Sequence, residues 1–106
     1  MAVPSHPWAS VIVPIKDEQD NLVPLIEGLL AVMSSHAASK SRPFEIIFVD
    51  DGSSDGSSDT LDRMAAEHSQ IRVFHLDRNY GKTCALEAGF NQSFGDIIIQ
   101  IDGDLQ

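Results

Sequence analysis

Apolar positions along the chain switch repeatedly between two spacings. Ser10-Val11-Ile12-Val13-Pro14-Ile15 is a short β-branched run that predicts a buried strand, with Pro14 better suited to its end than its middle. A polar stretch, residues 16–21, follows. Leu22, Leu25, Ile26, Leu29, Leu30 and Met33 then recur at helical spacing, with Asp20 or Asn21 as the cap and Pro24 in the first turn. After the small and polar residues 34–42, Phe44-Glu45-Ile46-Ile47-Phe48-Val49 predicts a second strand. The Gly/Ser/Asp cluster at residues 50–57 is a turn. A second helix is expected from about Ser58, with Leu61, Met64, Ala65 and His68 on one face. Ile71 to Leu76 is a third strand, and Lys82 to Ser93 a third helix with Ala85, Leu86, Gly89 and Phe90 inward. Ile97-Ile98-Ile99-Gln100-Ile101 is a fourth strand.

The order is therefore β-α-β-α-β-α-β. Alternation of this kind, with near-continuous apolar strands, predicts an α/β fold with a mainly parallel sheet covered on both faces. Right-handed crossovers bring every strand-to-helix loop to the carboxyl edge, where such sheets bind ligands. The carboxylates gather there: Asp17 and Glu18 after the first strand, Asp50 and Asp51 after the second, Asp102 and Asp104 after the fourth. Arg78 and Lys82 follow the third.

Composition narrows the function classes. The 106 residues carry seven Lys+Arg against sixteen Asp+Glu, a net charge of −9, which argues against nucleic acid as a partner. At 42% hydrophobic and 22% charged, the chain is an ordinary globular domain, and its length suits one domain. The single Cys84 excludes an internal disulfide framework and a Cys-based zinc site. Leu22 to Met33 is too short and too interrupted to span a bilayer. Met1 to Ser10 lacks a basic region followed by an apolar run, so no signal peptide is expected and a cytoplasmic setting is.

Asp102-Gly103-Asp104 ending a strand offers two carboxylates to one hard cation, magnesium or manganese, with Gln106 able to add a carbonyl oxygen. The alternative is a solvated turn, since Asp and Gly favour turns. Asp50-Asp51 can accept hydrogen bonds from a nucleobase or ribose, or can serve as an Asx-turn and helix cap. Arg78 and Lys82, flanking Asn79-Tyr80-Gly81 at a helix start, suit a diphosphate, or are solvated surface charges. Asp51, Ser53, Asp55 and Gly56, with Asp59 and Asp62 further on, partly match a calcium loop, but a strand precedes them instead of a helix and Asp62 stands where the bidentate Glu belongs. Cys84 and His68 are expected to pack on helices. His75 falls in a strand, and His6, His36 and Trp8 show no partner spacing.

Four segments in order carry a resemblance: Ser10-Val-Ile-Val-Pro-Ile-Lys-Asp-Glu18, Phe44-Glu-Ile-Ile-Phe-Val-Asp-Asp-Gly-Ser-Ser-Asp-Gly56, Arg78-Asn-Tyr-Gly-Lys-Thr-Cys-Ala-Leu-Glu-Ala-Gly-Phe90 and Asp102-Gly-Asp-Leu-Gln106. Together they resemble family 2 glycosyltransferases, which use nucleotide sugars and have the three-layer, Rossmann-like GT-A fold. The last segment looks most like the branch that moves sugars onto polyprenyl phosphates. The resemblance implies that Pro14, Asp17 and Glu18 line the nucleoside pocket and that Asp51 contacts the base. It implies that Asp102 and Asp104 hold a divalent metal, with Gln106 as a further ligand. Arg78 and Lys82 would contact base or diphosphate, and Asp102 would also meet the nucleotide sugar. The family usually has Asn before the Glu of its first motif, often after an aromatic residue, and this chain has Lys16-Asp17-Glu18.

The same resemblance implies inverting, metal-assisted transfer from a UDP- or GDP-linked sugar to a lipid-phosphate or glycan acceptor, at the cytoplasmic face of a membrane in the complete protein. Family members continue well past the Asp-x-Asp motif, so residues 1–106 are expected to form the N-terminal, donor-binding part and to be inactive alone, with no acceptor-side base. An open edge at the fourth strand is expected to favour self-association. Two other classes remain: a non-catalytic metal- or nucleotide-binding regulatory module, and a phosphoacceptor signalling domain with Asp17-Glu18 and Asp77 as its acidic residues. The latter needs a fifth strand that the chain does not show.

Overall fold

A computed structural model describes residues 7–35 and 43–101. Seven elements follow in order: β1 (Ala9–Ile15), α1 (Gln19–Ser35), β2 (Phe44–Asp50), α2 (Ser57–Glu67), β3 (Ile71–His75), α3 (Lys82–Gln92) and β4 (Ile97–Gln100). The four strands form one parallel sheet in the order β3-β2-β1-β4. The expected α/β order and parallel pairing are those observed.

Strand alternation divides the core. Val11, Val13 and Ile15 of β1, with Ile46 and Phe48 of β2, pack with Leu22 and Ile26 of α1 and Leu61 of α2. The opposite sheet face presents Ile12, Ile47 and Val49 to α3. There α3 approaches closely because its inward residues are small. A Cβ at Gly89 would stand 2.5 Å from Ile12 Cγ2. Ala85 is fully buried beside it. Phe90, expected inward, is exposed, because a helix seated this close has no room for a large ring beneath it. Cys84 is exposed as well.

Pro14 lies inside β1, paired with Val49 of β2. On the other side of β1, the N–H of Ile101 donates to the Ile12 carbonyl. The next rung would need an N–H at position 14, which proline lacks. Pro14 thus ends the β1–β4 ladder at the carboxyl edge.

The start of α1 differs from expectation. The helix opens at Gln19, which puts Pro24 in its second turn. The cap is supplied from outside the local sequence: the Gln19 N–H donates to Asp55 Oδ2, and the Glu18 N–H to Ser57 Oγ. β4 also departs from the expectation of a sheet covered on both faces. It is an edge strand among the described residues, and Ile97 and Ile98 are exposed.

At the amino end of the sheet, Glu45 is fully buried. Its Oε1 accepts from Arg72 at 2.9 Å, and its Oε2 from Ser10 Oγ at 2.6 Å and the Phe94 N–H at 2.7 Å. Arg72 also donates to the Gln92 carbonyl and lies over the rings of Phe74 and Phe94. The Gly95 N–H donates to Ser10 Oγ. This network ties the α3–β4 turn to three strands and so fixes where β4 begins.

Candidate functional site

The carboxyl edge of the sheet carries a cleft of about 250 Å³. Pro14, Ile15 and Lys16 at the end of β1 line it, together with Glu18, Asp51, Asn79, Gly81 and Lys82. A second depression shares Pro14 and Lys82 and continues to Leu86, Gln100 and Ile101, between β1 and β4. That is where the sheet's strand order reverses direction, the usual ligand crevice of such folds.

The walls are loops held by carboxylates. Asp51 is buried; its Oδ1 accepts from the Tyr80 N–H at 2.7 Å and its Oδ2 from the Gly81 N–H at 2.9 Å. It therefore suspends the β3–α3 loop above the cleft while lining it. Each oxygen keeps a second lone pair. Gly52 makes the two loops fit back to back. Its φ is 71°, and a Cβ there would lie 2.5 Å from the Arg78 carbonyl carbon. Only glycine meets both conditions.

Asp17 adopts a φ of 52°, a left-handed conformation that Asp tolerates better than most residues. Its Oδ1 accepts from the Ser54 N–H at 2.7 Å and the Asp55 N–H at 3.2 Å, and Lys16 Nζ lies 3.3 Å from its Oδ2. The Ser54 amide above all holds its carboxyl below the usual range. Asp17 lines a separate, acidic depression with Glu18 and Asp55, not the cleft itself. Lys16 donates to the Gly52 carbonyl at 2.9 Å and lines the cleft. It carried no role in the sequence reading, although its place one residue beyond β1 puts it at the rim.

Asp50, at the end of β2, is buried beneath this edge. Burial opposes its charged form, but hydrogen bonds from Ser58, Ser53 and His75 outweigh it and hold the carboxyl below its ordinary value. His75 reaches it from β3 at 2.8 Å through Nδ1, and reaches Asp62 of α2 at 2.7 Å through Nε2. No local spacing announces these partners, because both come from other elements.

Of the expected site residues, Pro14, Glu18, Asp51 and Lys82 meet at the cleft. Arg78 does not line it; its guanidinium lies 5.1 Å over the Tyr80 ring, on exposed loop residues. Asp102, Asp104 and Gln106 lie outside the described residues. Among the described residues, no group of three His, Cys, Asp or Glu side chains is placed to hold a metal ion, and no helix is long and apolar enough to cross a membrane. The cleft combines two carboxylates with two lysines. It suits a ligand that carries both hydrogen-bond donors and negative charge.

Known proteins share the sequence pattern and the fold of this chain. The model of the family described as Glycosyl transferase family 2 matches residues 10–106. The undecaprenyl-phosphate 4-deoxy-4-formamido-L-arabinose transferase of Yersinia enterocolitica is 47% identical over 100 residues, 92% of this chain and 29% of the relative. The protein of the same name from Edwardsiella ictaluri is 43% identical over 101 residues, 93% of this chain and 30% of the relative. The chain thus spans less than a third of the length of these curated relatives. Among solved structures, the mannosyltransferase PcManGT from Pyrobaculum calidifontis, in complex with GDP-Man and Mn2+, superposes with a TM-score of 0.70 at 27% identity, covering 96% of this chain and 29% of that one. S. aureus TarS 1-349 in complex with UDP superposes with a TM-score of 0.74 at 24% identity, covering 91% of this chain and 27% of that one.

Proposed function

The chain belongs to glycosyl transferase family 2 and has its GT-A fold, and from that premise we propose that it forms the donor-binding part of a transferase that passes a sugar from a nucleotide to a polyprenyl phosphate. The cleft at the carboxyl edge is the observation that carries the reading. Pro14, Lys16, Glu18 and Asp51 would receive the nucleoside, and Lys82 at the head of α3 would face the diphosphate. Both a lysine and a helix N-terminus favour phosphate. The polyprenyl-phosphate acceptor is supported by the relatives' names and by 43–47% identity to them. In the complete protein the acceptor side, and inversion at the sugar by direct attack, would belong to the remaining length.

A divalent cation is part of the reading. The fourth strand pairs with β1 up to the Ile101–Ile12 bond and ends at the same edge as the cleft, and Asp102, Asp104 and Gln106 are the residues that follow it in sequence. Two carboxylates and a carbonyl oxygen are hard donors suited to magnesium or manganese. When bound, such an ion would neutralise charge developing on the departing nucleoside diphosphate. The chain's own groups orient the donor: Asp51 holds the wall, Pro14 leaves the backbone edge open, and Lys82 offsets phosphate charge.

The test is calorimetric titration of the chain with UDP and with GDP in manganese. One of the two nucleotides should bind, and Lys82→Ala should weaken it about tenfold, the loss of one charge-assisted contact. Unchanged affinity in the variant would remove the lysine from the site, and no binding of either nucleotide would remove the reading.

A further inference from the structure

His75 closes β3, and its two ring nitrogens meet two carboxylates from different elements. Nδ1 lies 2.8 Å from Asp50 Oδ2 on β2, and Nε2 lies 2.7 Å from Asp62 Oδ1 on α2. A neutral imidazole has one N–H and would turn a lone pair toward one of these carboxylates. The imidazolium donates to both, so the geometry is that of the protonated ring. Asp50 and Asp62 are the charged groups that face it.

The clamp sits where the cleft wall is attached. The Asp50 carboxylate also accepts from Ser53 N–H and Ser58 Oγ, drawing the β2–α2 loop and the first turn of α2 to the same group. The Leu76 N–H, next after His75, donates to the Asp50 carbonyl. Asp51 then grips Tyr80 and Gly81. The segment 77–81 is therefore hung between the His75 clamp and the Asp51 latch.

We propose that His75 is a positioning residue of the cleft: as an imidazolium between Asp50 and Asp62 it holds the Asp50–Asp51 pair and the 77–81 loop in place, so that nucleotide affinity falls when the ring loses its proton. The consequence for affinity rests on the nucleotide reading above; the positioning of the loop does not. Burial works against the charged ring, but Asp62 and Asp50 outweigh it and push its pKa above the ordinary 6.5. The sign follows from a folded value raised above the unfolded one. The clamp's contribution is complete below about pH 6.5 and is lost as pH rises through the folded pKa.

The experiment is an NMR titration of the 106-residue chain from about pH 5.5 to about pH 9, across the imidazole range. Ring nitrogen shifts of His75 give its pKa, and amide exchange, corrected for its intrinsic pH dependence, gives the protection of Tyr80 and Gly81. Both should share one midpoint above 6.5. Asp62→Asn removes one charge from an exposed side chain, leaves the core untouched, and should lower both midpoints together. UDP or GDP affinity measured at the same pH values with magnesium present should fall several-fold across that midpoint. Protection that stays flat while the ring titrates, or that fails to move with the ring in Asp62→Asn, overturns the proposal. Protection that follows the ring while neither nucleotide binds at any pH supports the positioning role and removes the nucleotide reading instead.

Discussion

Asp51 shows how one side chain serves structure and site together. Its carboxylate replaces backbone partners for two consecutive amides, Tyr80 and Gly81, in a loop with no regular ladder to supply them. Asp51→Ala should cost about 1–3 kcal/mol, because two N–H groups lose a charged acceptor. Asp51→Asn keeps an acceptor oxygen and should cost less. Urea unfolding of the two variants checks the order, and equal stabilities would mean that water replaces the carboxylate without loss. The importance of Asp51 was legible in the sequence, because an acidic residue closing a strand is either a latch or a ligand. That it is a latch for the loop after β3 was not legible, since its partners lie 29 and 30 positions away. Separation in sequence, by 25 and 13 positions, likewise hid the two partners of His75. Lys16 was hidden for another reason: a lone lysine after a strand carries no pattern of its own.

Strands and helices were readable wherever burial followed the period of the element. β1 and β2 are buried at every position and read as continuous apolar runs. Boundaries shifted where a cap came from elsewhere, as Asp55 does for α1. The inward face of α3 was partly misread because its packing depends on small residues, Ala85 and Gly89, and not on the largest ones. The Glu45–Arg72 network was invisible for want of any local signal: a Glu inside an apolar strand gives no hint of its partner. It makes a firm prediction at this scale. Arg72→Met removes the cation that, among the described residues, pairs with a carboxylate that has no solvent exposure, and should destabilise the chain by about 3–5 kcal/mol. Adding Glu45→Gln to that variant should recover part of the loss, since the uncompensated charge is gone. Chemical denaturation of the single and double variants measures both effects, and a loss below about 1 kcal/mol in Arg72→Met would show that the pair is solvated.

At the scale of the whole molecule, the sheet order β3-β2-β1-β4 gathers the end of every strand at one edge and sets the cleft beside the point where strand order reverses. An acidic chain with a net charge of −9 binds an anionic nucleotide there only if local positive charge outweighs the global sign. On the proposed reading Lys16 and Lys82 would supply part of it, and a divalent ion at Asp102 and Asp104 the rest. The most direct measurement of that claim is thermal unfolding of the chain with UDP and with GDP, each with and without manganese. A bound nucleotide at about a hundred times its Kd adds roughly 2.7 kcal/mol, a rise in Tm on the order of 10 °C for a domain of this size. The account predicts such a rise with one of the two nucleotides, dependent on manganese and lost in the double variant Asp102→Asn, Asp104→Asn. A cooperatively folded chain whose Tm neither nucleotide moves, with or without the metal, would contradict it.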